Sequence, residues 1–396
     1  VVAFGVIPLM FVTGCGSERR DDKAPATSDS VAASEDIDKL RSLPYLGFTE
    51  TPVPKEESGT VLLDTVRSYP GYNLYTIPDL CMTELVDARG AIINAWRGPK
   101  GTWARSVLLP SGELLVVGRV SDDERYVMRL GWDGHLVWRR DMPSHHDITV
   151  TPDGRLTVFL LEMANIPEIS AAHEVRDDGV AILSPEGEII ERRSLYDMMS
   201  KRPDLFTFQP VKPKDEWIDL FHANSVRWMT HEKLWGTHPI YARRNVIVSI
   251  RHQDTIAVLD WEKNELVWAW GQGEISAPHD AAVLENGHFL VFDNGLGRGW
   301  SRVVEIDPLT LEIVWQYQAP VPSDFYTAGR GANQRLPNGN TLITESAEGR
   351  AFEVTPHGEI VWEYFNPHVD AENRRAAVVR VYRYEKTLVE KIRAGG

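Results

Sequence analysis

The sequence predicts an all-β chain folded as a six-bladed β-propeller, its ring closed by a C-terminal strand that completes the N-terminal blade. Three observations predict it. A unit of roughly forty residues, the period of propeller blades, recurs from residue 72 onward. Most of the thirteen tryptophans fall at the ends of similar segments. The units alternate apolar residues at strand period, as at Leu114 and Val116 or Phe289 and Val291.

In chain order, residues 1–15 read as a lipoprotein signal peptide. Val1 to Thr13 is an apolar run too short for a permanent span but long enough for a signal peptide core, and Val12-Thr13-Gly14-Cys15 resembles the bacterial lipobox, whose cysteine is lipidated. The protein is therefore expected to be exported and anchored to a membrane through Cys15, facing the periplasm or the cell exterior. Residues 16–60 are expected to form a disordered tether and lead-in, rich in Ser, Ala and charge at their start and without the apolar period that buries a core. Cys81 is the one other cysteine, so no intramolecular disulfide forms once Cys15 carries lipid, and it reads as a small buried hydrophobe.

Residues 61–396 hold the propeller. Five full units open near Ala104, His146, His222, His279 and Gly331, each with a tight turn and most with a Trp-bearing last strand. The segment before them, from YNLYTI to AIINAWR, supplies three strands, and AVVRVYRY near the C-terminus supplies the fourth, which removes the unpaired edges an open stack would leave. Two stretches interrupt the pattern, residues 163–178 inside the third blade and 197–220 before the fourth. Loops of this length are often lids or binding loops.

Formal net charge is -15 and no Lys/Arg-rich run appears, which excludes a nucleic-acid partner and leaves any anionic ligand to a local positive pocket. Such a pocket can be placed by topology. The first strand of each blade lies nearest the axis, and three successive blades open with histidine. His146 precedes Gly154 by the same interval that separates His279 from Gly287, and His222 opens the blade between. The antiparallel second strand returns to the same rim, bringing Arg251 beside His222 and Asp293 and Asn294 beside His279; Asn224 shares the face of His222. The candidate site is thus His146, His222, Arg251 and His279, with Asn224 and Asn294 as binding groups. His145, one residue off register, is expected to face away by strand alternation, and joins the candidates only as a further binding group. Arg330 could add charge, and Asp147 and Asp280 could hold imidazoles or cap turns. Three histidines could bind zinc, but an arginine among them favours an oxyanion, so no metal is expected.

The segments HHDI, FHANSV, SIRHQDTIAVLD and PHDAAVLENGHFLVFDNG, with PGYNLYT and AVVRVYRY at the ends, resemble the bacterial arylsulfate sulfotransferases over about residues 60–390. The resemblance implies a nucleotide-independent sulfotransferase in which His279 accepts the sulfuryl group as a transient sulfohistidine, while His146, His222, Asn224 and Arg251 bind it. It implies an aryl sulfate donor and a phenolic acceptor, with no cofactor, and no G-x-x-x-x-G-K-[ST] loop is present for a nucleotide phosphate. The chain departs from the family in carrying no separate N-terminal β-domain, no cysteine pair near the site, and a longer loop between His222 and Arg251. Two other functions fit the same residues: a non-enzymatic propeller lipoprotein that binds a partner at its rim, and a sulfate or phosphate ester hydrolase in which water replaces the phenol.

Overall fold

The computed structural model describes residues 47–214 and 216–395. The leader, Cys15 and the tether up to residue 46 lie outside the described residues, and among those described no helix is long and apolar enough to cross a membrane.

Six sheets of four or five strands form the blades of a propeller. Their first strands are Val379–Tyr384, Thr102–Leu108, Ser144–Val150, Ala223–Trp228, His279–Val283 and Ala332–Arg335, from the first blade to the sixth. Val379–Tyr384 pairs antiparallel with Tyr72–Ile77, Tyr384 opposite Tyr72, so the two ends of the propeller sequence share one blade. The middle strands are apolar on both faces because each sheet is sandwiched between neighbours, as in Asn245–Ile250 and Thr255–Asp260, which are buried throughout.

The repeated tryptophans have a repeated task. In five of the blades the last strand's indole N–H donates to a carbonyl in the outer turn of the next blade: Trp96 to Gly131, Trp138 to Pro185, Trp268 to Pro308, Trp315 to Pro356, and Trp362 to Ala88, at 2.8–3.1 Å. The last of these links the sixth blade back to the first. The third blade's outer strand, Ile189–Ser194, has no tryptophan. There the contact runs the other way, Trp261 of the fourth blade donating to Glu191 Oε2 at 2.9 Å.

Three expectations need revision. The lead-in does not stay outside the propeller up to residue 60: Phe48 bridges Ala376, and Gly59–Leu63 adds a fifth strand beside Ile360–Phe365. Alternation too short to register as a strand is sufficient when a ready-made edge offers hydrogen bonds. Residues 163–178 are not a loop throughout, because the strands Leu156–Ala164 and Glu174–Leu183 run on into them as one long hairpin, leaving residues 165–173 as its connection. Residues 197–220 include most of a short helix, Leu195–Ser200, and a strand, Trp217–Asp219, which pairs in parallel with the start of Glu174–Leu183.

The channel below the candidate site is filled by a buried ionic network. Asp147 accepts from Arg227 at 2.7 Å and Arg380 at 2.7 Å, with Arg105 at 3.4 Å; Asp280 accepts from Arg227 at 2.9 Å and Arg380 at 3.2 Å. The backbone N–H groups of Val226 and Asn333 complete the two carboxylates. Asp147 and Asp280 therefore hold the blades to one another instead of holding the neighbouring imidazoles. Although burial works to raise it, the three guanidinium groups bring the Asp147 carboxyl down to about 2. Replacing Asp147 with Asn strands buried positive charge, and we expect stability to fall by about 3–5 kcal/mol, read as the shift in denaturant midpoint. An unchanged midpoint would remove the network from the account of how the ring is held.

Candidate functional site

A cavity of about 1230 Å³ opens above this network, lined in part by His145, His146, His222, His252, Arg251 and His279. The side chains reach it because the first strands bulge at the rim. His146, His222, Asp280, Arg330 and Arg380 all adopt left-handed backbone, with φ of 55, 48, 51, 62 and 44°. Register breaks there as well: His279 lies opposite Phe292, but the next pair is Ala282 with Leu290. Bulges and positive φ are strained in residues with a Cβ, and they re-aim side chains that a regular strand would bury between blades.

The third blade departs from the sequence expectation at this point. Its bulge is one residue larger: Ile148 pairs with Val158, and the next partner, Phe159, lies opposite His145. His145, not His146, thus occupies the pairing position of His279, despite the equal spacing of His146 and His279 from their turn glycines. His145 does not face away. It lines the cavity, with Nδ1 2.6 Å from His146 Nδ1 and Nε2 3.2 Å from Asp178 Oδ1.

The other candidates fall where topology puts them. The rings of His146 and His222 have centroids 4.8 Å apart, and Arg251 N–H points to the His222 carbonyl at 3.4 Å. Asn294 Oδ1 is 2.7 Å and the Ala277 carbonyl 3.0 Å from His279 Nδ1, while the backbone N–H of Arg330 donates to His279 Nε2 at 3.2 Å. His279 is therefore an Nδ1–H tautomer. Asn224 Nδ2 donates to the Pro278 carbonyl at 2.9 Å, and its Oδ1 is buried with no hydrogen-bond partner among the described residues. Asp293 turns away, to Arg298 and Arg302.

Four site residues were not singled out from sequence: His252, Arg176, Asp178 and Asp219. Arg251 Nη1 lies 2.9 Å from His252 Nε2, and the ring of His252 sits 4.7 Å from that of His222. Arg176 bridges Asp178 and Asp219, each at 3.0 Å, and Asp219 Oδ2 is 2.6 Å from His222 Nδ1. The available signal was the two interruptions of the repeat, since Arg176 and Asp178 belong to one and Asp219 to the other.

Electrostatically this is a cationic pocket of neutral imidazoles. Burial, then the charge of Arg251, pushes His279 down to about 3. Burial likewise lowers His145 and His222, and holds His146 and His252 well below the usual range. Asp219, His222 and His252 are the group among the described residues whose ligand atoms could meet one metal ion, all within 4.8 Å. Those atoms are already engaged with Arg176, Arg251 and each other, and two guanidinium groups at the same point suit an oxyanion better than a cation.

The arylsulfotransferase (ASST) family model matches residues 118–367. No curated protein matches. Among solved structures, a protein of unknown function from Bacteroides caccae is similar at TM-score 0.51 and 13% identity, covering 79% of this chain and 99% of that one. A streptogramin B lyase is similar at TM-score 0.47 and 12% identity, covering 85% and 96%. A virginiamycin B lyase from Staphylococcus aureus is similar at TM-score 0.44 and 12% identity, covering 83% and 89%. At these identities the likeness concerns the fold alone.

The imidazoles dictate a pH dependence of stability. Below the unfolded histidine value of about 6.5 the unfolded chain binds protons that the folded site refuses, so stability rises with pH across that window and falls as pH is lowered through it. Denaturant midpoints at pH 7.5 and 5 measure this slope, and His279→Gln is expected to flatten it, because its window extends from about 6.5 down to about 3.

Proposed function

We propose that this chain, which belongs to the arylsulfotransferase (ASST) family, moves a sulfuryl group from an aryl sulfate to a phenolic acceptor through a sulfohistidine at His279, with no nucleotide donor. The observation that carries the reading is His279 itself. It is a buried imidazole kept neutral by its surroundings, with its Nδ1 proton anchored and Nε2 as the basic nitrogen, beside an arginine in a large cavity.

A neutral imidazole is a competent nucleophile near pH 7, and covalent catalysis splits a hard transfer into two displacements. In the first, His279 Nε2 forms a bond to sulfur as the bond from sulfur to the aryl oxygen breaks. In the second, the acceptor oxygen takes the sulfur and the imidazole leaves. Asn294 and the Ala277 carbonyl hold the ring orientation throughout and favour the positive charge that develops on it. Arg251, Asn224, His146 and His145 bind the sulfuryl oxygens, whose negative charge is better met by donors already fixed in place than by water, which must reorient. The lipobox at Cys15 would hold this chemistry outside the cytoplasm at a membrane surface, where simple aryl sulfates and phenols substitute for a nucleotide sulfate.

The test uses a chromogenic aryl sulfate with and without added phenol. Phenolate release that depends on the acceptor, follows ping-pong kinetics and disappears in His279→Ala supports transfer. Release without acceptor points to a hydrolase, and silence across a range of donors and acceptors favours a propeller that binds a partner at its rim.

A further inference from the structure

Sulfuryl transfer between phenols needs a proton to move as well as the sulfuryl group. The departing phenolate is a strong base that must be protonated, and the incoming phenol is a weak nucleophile until it loses its proton. Five histidines line the cavity, and a nucleophile assigned to His279 leaves open which ring carries that proton.

One ring stands apart in its support. Asp219 Oδ2 lies 2.6 Å from His222 Nδ1 and 3.0 Å from Arg176 Nη1, and the Asp219 backbone carbonyl lies 2.7 Å from His252 Nδ1. His279, in contrast, leans on a neutral amide. His145 has a carboxylate, Asp178, but at 3.2 Å and on Nε2, with its Nδ1 turned to His146. A carboxylate on Nδ1 does two things for an imidazole: it fixes the tautomer that leaves Nε2 basic, and it favours the imidazolium that forms when Nε2 takes a proton.

Resting on the transfer reading above, we infer that His222 exchanges the phenolic proton through Nε2 in both half-reactions, and that Asp219, seated by Arg176, is the positioning residue that makes it able to. In the first half-reaction the imidazolium form of His222, which Asp219 favours through Nδ1, gives its Nε2 proton to the aryl oxygen as the sulfur-oxygen bond breaks and the His279 nitrogen-sulfur bond forms. His222 is then neutral, as the second half-reaction requires, and takes the proton of the acceptor phenol as that oxygen attacks sulfur and His279 leaves. Protons balance over the cycle, with His222 returned to its starting form.

The origin of this pair in the chain supports a dedicated role. Neither Asp219 nor Arg176 belongs to the repeated part of a blade. Arg176 lies on the extension of the long hairpin, and Asp219 on the added strand Trp217–Asp219; the parallel pairing sets Arg176 directly opposite Asp219. Asp219 is buried, and although burial works to raise it, Arg176, His222 and His252 hold its carboxyl well below the ordinary range. It stays ionised at any working pH.

The groups facing His222 are Asp219 and Arg176 from the two insertions, Arg251 and His252 from its own blade, His145 and His146 from the third, and His279 from the fifth. Asp219 is the anion bonded to its ring, while Asp178 accepts from the Ala223 N–H one residue on at 2.6 Å; Asp219 raises the affinity of His222 for a proton, against burial and Arg251, which lower it. The donor kcat/KM therefore falls as pH rises through the His222 pKa, and the acceptor kcat/KM rises. In Asp219→Asn both inflections move to lower pH.

The deciding experiment compares two donors in the full chain: the sulfate of an acidic nitrophenol, whose phenolate leaves unaided, and that of an alkylphenol, which needs a proton. Ping-pong kinetics isolate the donor half-reaction in its own kcat/KM. Asp219→Asn and His222→Gln are expected to lose on the order of 10²-fold more with the alkylphenyl donor than with the nitrophenyl one, the scale of general acid catalysis. Equal losses with both donors would overturn the proton role and leave Asp219 as structural support. Because Asp219→Asn can fail to fold, His222→Gln, which leaves the Arg176–Asp219 pair intact, carries the same comparison. Nitrogen NMR of the histidine rings in the wild type gives a readout free of activity: His222 as the Nδ1–H tautomer supports the positioning by Asp219, and the opposite tautomer overturns it. Loss with every donor in His279→Ala alongside an active wild type upholds the transfer reading separately; a wild type silent with all donors overturns that reading, and the proton role with it.

Discussion

The structure depends on a constraint at its axis: six strands converge there, and what fills the space between them must satisfy all six at once. The solution is ionic. Arg105, Asp147, Arg227, Asp280, Asn333 and Arg380 each come from a different blade, and the two carboxylates take contacts from the other four. A hydrophobic plug could fill the same volume, but it would not fix rotation of one blade relative to another. Directional bonds from two aspartates to three guanidinium groups do. Every blade's inner strand is registered against the rest, and the rim above inherits that precision.

The same network explains the strain at the rim. Asp147 and Asp280 have to point down the channel while the adjacent His146 and His279 serve the cavity, and a regular strand sends neighbours to opposite faces of the sheet, not to two levels of one channel. The bulges and left-handed residues allow both. Holding several residues with a Cβ in that conformation costs about 1–3 kcal/mol each, and the buried charge pairs beneath over-determine it. Plug and site are thus one device, and a loosened plug would misplace the imidazoles before it unfolded the ring.

This division also accounts for what the sequence revealed. The repeat, its glycine turns and its tryptophans were legible because they obey strand and turn periods, and five of those tryptophans make the same indole-to-carbonyl contact with the next blade. Placement of His222, Arg251, Asn224, His279 and Asn294 followed from topology, since a strand's ends must return to the same rim. His145 was misread because equal spacing from a turn glycine stops meaning equal position once a bulge of different size lies between. Arg176, Asp178 and Asp219 escaped for another reason. They sit in insertions with no counterpart in the other blades, and the parallel pairing of Trp217–Asp219 with Glu174–Arg176 joins segments more than forty residues apart without any local signal.

The electrostatics of the cavity follow from its choice of cation. The chain carries a net charge of -15, yet the site presents Arg176, Arg251, Arg330 and Arg380 to whatever enters. An arginine keeps its proton in surroundings where lysine or histidine would lose it. With the positive charge already fixed on guanidinium groups, each buried imidazole is cheaper to keep neutral than to charge, and Arg251 is second only to burial in lowering His279. The arginines therefore serve two ends that could have conflicted. They offer fixed positive charge to an anion, and because that charge does not titrate they leave the buried histidines neutral. The exception is instructive: His222 is the ring of this cluster whose Nδ1 meets an aspartate carboxylate at hydrogen-bond distance, 2.6 Å to Asp219, and that aspartate arrives on an inserted strand instead of a repeated one.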